Sequence, residues 1–123
     1  MTTAFDQYVE TALWSSSDNE NGDSFLDENY SLADVAAETR MHLLYIWKLF
    51  CMNNRALINA ALEHNGNDID QIAHDLWLTQ NGHGAGFWDR DYPEDIGKKL
   101  TEAAEKMGQI DLYVGDNGKI YHL

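Results

Sequence analysis

Several things are scarce in this chain, and each scarcity excludes something. Among 123 residues there is one cysteine, Cys51. No internal disulfide can form, and the apolar run Leu49-Phe50-Cys51-Met52 places the thiol in a core and the chain in a reducing compartment. Basic side chains are few: 8 Lys and Arg stand against 21 Asp and Glu, a formal net charge of -13. Proteins that coat DNA, RNA or anionic membranes neutralise phosphate with Lys and Arg, so this balance excludes direct nucleic-acid binding and favours a partner with a basic surface. The first residues carry neither a basic charge nor an apolar segment, and nowhere do about 18 apolar residues run together, so no export signal or membrane association is expected. There is one proline, no low-complexity linker and no internal repeat. With 44% hydrophobic residues, the chain reads as a single domain over 1–123.

What is present reads as α+β: a compact bundle of about five helices with a C-terminal β-hairpin packed on it. Thr3 and Asp6 have capping-box spacing ahead of Phe5, Tyr8, Val9, Ala12 and Leu13 at helical period. The segment from Trp14 to Tyr30 dissolves into Ser, Asp, Asn and Gly, which bond local backbone and make turns. Ser31 and Asp34 predict the start of a second helix through Val35, Ala36 and Thr39 into the dense apolar run at Leu43–Cys51. Asn53-Asn54 breaks it. Arg55 to Glu63 is a third helix, ended by His64-Asn65-Gly66, and Asn67 or Asp68 caps a fourth with the stripe Ile69, Ile72, Ala73, Leu76 and Trp77. A fifth begins near Pro93 and ends at Gly108. After it the period changes to two: Ile110, Leu112 and Val114 alternate with polar residues, Gly115-Asp116-Asn117-Gly118 turns, and Lys119 to Leu123 returns as a hairpin that must lie on the helices. Trp14, Trp47 and Trp77 are expected in the core.

The densest chemistry lies in Asn81 to Tyr92, between the fourth and fifth helices. His74, Asp75, His83 and Asp89 are candidates for an acid/base or metal cluster, since imidazole nitrogen and carboxylate oxygen are usual divalent-metal ligands. Their spacing matches no standard motif, and the favoured account is local: His74 bonds a neighbouring backbone group, and Asp89 pairs with Arg90 or caps a turn. No metal site and no cofactor are expected. The glycines around Ala85 read as steric, letting the backbone pass close to Phe87 and Trp88. Those aromatics either plug the core or, if exposed, anchor a protein partner together with Arg90. Ser17, Asn19, Asn21, Gly22, Asp23 and Glu28 make a partial match to a calcium loop that turn chemistry equally explains.

The run from His74 to Arg90, with Ala12 to Ser16, Leu26 to Tyr30 and Asp111 to Gly115, resembles a family of small acidic proteins of bacteriophages and mobile elements. The resemblance implies the cytoplasm of a bacterial host cell and carries no reaction type. Up to residue 39 the chain holds nine carboxylates (Asp6, Glu10, Asp18, Glu20, Asp23, Asp27, Glu28, Asp34, Glu38) and no Lys or Arg. The expected function is therefore an interaction protein that binds and modulates a host protein, its carboxylates imitating nucleic-acid charge. The alternative is a small hydrolase using His74 or His83 with Asp75 or Asp89, with or without a metal.

Overall fold

The computed structural model describes residues 3–83, 86–87 and 92–123. Among these, five α-helices run in chain order: α1 (Ala4–Ser15), α2 (Ala37–Asn53), α3 (Arg55–His64), α4 (Ile69–Gln80) and α5 (Glu94–Glu105), followed by β1 (Leu112–Val114) and β2 (Ile120–His122). The fold is α+β, a helical bundle carrying a C-terminal antiparallel hairpin.

Helix α1 starts where Thr3 and Asp6 predict. The Asp6 amide donates to the Thr3 hydroxyl at 3.1 Å and the Thr3 amide to the Asp6 carboxylate at 3.1 Å, so two orphan helix-end donors are satisfied reciprocally. Its stripe Phe5, Tyr8, Val9, Ala12 and Leu13 is buried against α4, whose Ile72, Ala73, Leu76 and Trp77 are buried in turn. Each of the larger aliphatic and phenyl side chains among them contributes about 1.5–3 kcal/mol of transfer free energy, and together with α2 and the hairpin they form one continuous core.

Helix α2 begins later than the sequence suggests. Asp34 does accept the Ser31 amide, at 2.8 Å, but the box closes around a single 3-10 turn, Leu32–Asp34. The chain then runs extended through Val35 and Ala36, because Val35 bridges to Ile120 in parallel and the Ala36 amide donates to the Ile120 carbonyl at 2.9 Å. Pairing with the hairpin competes with helix here and wins. A helix propensity cannot announce that outcome, since the partner lies more than eighty residues on.

The hairpin pairs Leu112 with His122, Tyr113 with Tyr121 and Val114 with Ile120. Leu112, Val114 and Ile120 point into the core. Val35-Ala36 covers the β2 edge, and the Asn19 side-chain amide covers the β1 edge by accepting from the Val114 amide at 2.8 Å and donating to its carbonyl at 3.3 Å. Both edges are thereby blunted against further strand addition.

The last turn of α4 ties four parts of the molecule together. The buried Gln80 accepts the Tyr8 hydroxyl at 2.6 Å and donates to the Gly108 carbonyl at 2.9 Å. Asn81 accepts the Ile110 amide at 2.8 Å, and the Thr79 hydroxyl accepts the Phe87 amide at 3.1 Å.

Candidate functional site

Helix α1 has a second face. Gln7, Glu10, Thr11 and Trp14 fall at i, i+3, i+4 and i+7 and so line up on one side of the helix. They form one wall of a groove of about 570 Å3. The opposite wall is the segment from Asp27 through Tyr30 to Ala33, and His74 of α4 contributes from behind. Two carboxylates, Glu10 and Asp27, line this groove, and none of the described residues that line it is Lys or Arg. Trp14 is 53% exposed, which corrects its expected place in the core. Trp47 and Trp77 are buried. The helical wheel already carries the reason, because Trp14 is out of phase with Phe5, Tyr8, Val9, Ala12 and Leu13 and in phase with Glu10.

The back of the groove is held by a small polar network. The Thr11 hydroxyl donates to the Gln7 carbonyl at 2.9 Å and accepts the Gln7 side-chain amide at 3.1 Å. With its one proton committed to that carbonyl, its contact with His74 Nδ1 at 2.9 Å assigns the imidazole N–H to Nδ1, which leaves the acceptor of a neutral ring on Nε2. The imidazole also lies against the Trp14 ring, with centroids 5.7 Å apart. His74 is thus fixed from two sides and helps to hold the tryptophan upright.

Beyond Trp14 lies a second, more apolar cleft of about 280 Å3, lined by Trp14, Ser15, Phe25, Leu78 and His83. Phe25 is 47% exposed. Trp14 therefore separates two depressions. Glu10 belongs to the acidic run that the sequence marks, whereas nothing in the sequence singles out Phe25 or Tyr30 as lining a surface depression beside Trp14.

Among the described residues, those singled out in the sequence do not gather in one place. His74 lines the groove and His83, exposed, lines the cleft on the other side of Trp14. Asp75 is fully buried, accepting the Gln71 side-chain amide at 2.9 Å and the Tyr92 hydroxyl at 3.3 Å. Phe87 is buried between Phe50 and Tyr92, its ring centroid 5.9 Å and 6.2 Å from theirs. It belongs to the core and plugs it. Gly86 makes this possible: its φ of +129° suits glycine, and a Cβ there would collide with the Thr79 hydroxyl. Trp88, Asp89 and Arg90 lie outside the described residues. Among the described residues no group of three or more His, Cys, Asp or Glu is placed to hold a metal ion. Cys51 is half-buried, and burial pushes its thiol up to about 11, so it is protonated and unreactive at neutral pH.

The nine N-terminal carboxylates divide into two kinds. Asp6, Asp34 and Glu28 close local caps, the last by accepting the Phe25 amide at 2.6 Å. Asp18 is buried and accepts from the Glu20 and Asn21 amides at 2.9 and 3.2 Å and from the Asn21 and Asn29 side chains at 2.8 and 3.2 Å. Burial alone would raise its pKa; the hydrogen bonds outweigh that and hold it below the ordinary carboxylate value. Three of the letters that resembled a calcium loop are used in local contacts, since Asn19 holds the hairpin, Asn21 bonds Asp18 and Glu28 caps the Phe25 amide. Glu10, Glu20, Asp23, Asp27 and Glu38 are exposed and outside these caps, and Glu28 also faces solvent. Arg40 of α2 reaches this region, lying 3.7 Å from Asp6 and 5.3 Å from the Phe5 ring centroid.

Compared with protein-family models, curated proteins and solved structures, the chain matches none. No helix among the described residues is long and apolar enough to cross a membrane.

Proposed function

We propose that this is a small acidic interaction protein, of phage or plasmid type and acting in the cytoplasm of a bacterial host cell, that binds and modulates a host protein by engaging that partner's basic surface. Its exposed carboxylates stand in for the phosphates such a surface would otherwise meet. The observation that carries the reading is the half-exposed Trp14, held upright by His74 between two depressions and flanked by Glu10 and Asp27. An aromatic that could have been buried but is presented in an acidic rim combines a hot-spot side chain with long-range attraction. Separate placement of His74, Asp75 and His83 gives the hydrolase reading no comparable support.

The test is retention of host proteins on the immobilised protein. A partner held at low salt and released at moderate salt is expected, because exposed charge pairs are screened as the Debye length shortens. No partner at low salt, or retention indifferent to salt, would count against the reading.

A further inference from the structure

We infer that the groove between α1 and the Asp27–Ala33 segment is a seat for an arginine side chain of a basic protein segment, stacked on Trp14 and paired with Glu10 and Asp27. The inference rests on the interaction reading above and adds the chemistry of its contact point.

Three features select this occupant. The groove has one sign of charge, with Glu10 and Asp27 on facing walls and neither Lys nor Arg among the described residues that line it. The field of a chain with net charge -13 draws cations toward it. A partly exposed indole and the Tyr30 ring line it with aromatic surface, on which a planar guanidinium stacks while its N–H fork meets carboxylates. An ammonium can satisfy the charge but cannot stack as a plane, which sets arginine above lysine. The molecule already shows the arrangement on a small scale. One helical turn or more back along α1, the Arg40 guanidinium lies over the Phe5 ring at 5.3 Å and beside the Asp6 carboxylate at 3.7 Å. The same helix repeats an aromatic with a nearby acid at Trp14 and Glu10, and there no cation of the described chain supplies the third member. His74 completes the seat, since its contacts with Thr11 and Trp14 keep the indole from folding into the groove.

The probes are three blocked peptides of equal length and spacing, one with arginines separated by glycines, one with lysines in their place and one uncharged, titrated into isotopically labelled protein at low salt. The arginine peptide is expected to bind most tightly and to shift the signals of Glu10, Trp14, Asp27 and Tyr30 together. Trp14→Ala should weaken it about 3- to 5-fold, the scale of an exposed cation–π contact. Because Trp14 is half exposed, that variant keeps its core; Glu10→Gln with Asp27→Asn, expected to weaken binding about tenfold, repeats the test without touching an apolar side chain. Equal binding of the arginine and lysine peptides, with shifts spread over all exposed acids and unchanged in Trp14→Ala, would overturn the arginine seat while leaving a general acidic interaction surface intact. Free arginine binding as tightly as the peptide would overturn a protein occupant, and concentration-dependent shifts at the groove without any peptide would assign it to a second copy of the chain. If neither basic peptide binds at low salt, the seat and the interaction reading fall together.

Discussion

Asp18 and Glu20 are two positions apart and carry the same charge, yet burial gives them opposite tasks. Glu20 is exposed, whereas Asp18 is enclosed by four hydrogen bonds that hold the Ser17–Phe25 turn closed. Because its folded pKa lies below the ordinary value of 3.8, the stability it contributes is present above that pH and is lost as pH falls through the folded value. Asp18→Ala should therefore lower the urea midpoint at neutral pH, while the gap to wild type closes as the pH is taken below 3.8. Glycine at position 86 is a second single-residue constraint. Gly86→Ala adds a Cβ that meets the Thr79 hydroxyl at a φ of +129°, and about 1–3 kcal/mol of destabilisation is expected in the same measurement.

At the scale of elements, α4 explains why one stretch of sequence looks so dense. Trp77, Thr79, Gln80 and Asn81 each hold a different neighbour: Ser15 accepts the Trp77 indole N–H at 2.8 Å, and the others reach Phe87, Tyr8 with Gly108, and Ile110. Tyr8→Phe leaves the buried Gln80 oxygen without its hydroxyl donor and should cost about 1–3 kcal/mol in thermal or urea unfolding, with little change in the helical spectrum. Helix positions and the hairpin were legible because their information is local, in caps, stripes and turn residues. The start of α2 was not, because Val35 and Ala36 answer to Ile120. Trp14 was misplaced for a different reason: its residue type suggests burial, and only its phase relative to Phe5 and Leu13 shows the outward face. The hairpin meets α2 through His122 stacked on His42, centroids 4.4 Å apart, with His122 Nδ1 and the Thr39 hydroxyl 2.7 Å apart. Burial first and the His122 charge second lower the His42 pKa below 6.5, so this contact stabilises fully above that value and weakens as pH falls through the folded one. Wild type should lose stability on acidification across this range, and His42→Gln should flatten the slope.

At the scale of the whole molecule, charge is the dominant fact. The exposed acids repel one another, and raising salt should raise the melting temperature of the free protein by screening that repulsion. The candidate surface was legible in outline, since a run of 39 residues without Lys or Arg marks it, but its composition was not. Only the fold separates carboxylates used as caps from those exposed to a partner, and brings Asp27 and Tyr30 across from Glu10 and Trp14. The measurement that tests the central claim most directly compares retention of host proteins by wild type and by a folded variant carrying Glu10→Gln, Glu20→Gln, Asp23→Asn, Asp27→Asn and Glu38→Gln. Wild type is predicted to hold a discrete partner at low salt that moderate salt releases and the variant does not bind; equal retention by both proteins, or none by wild type, would contradict the account.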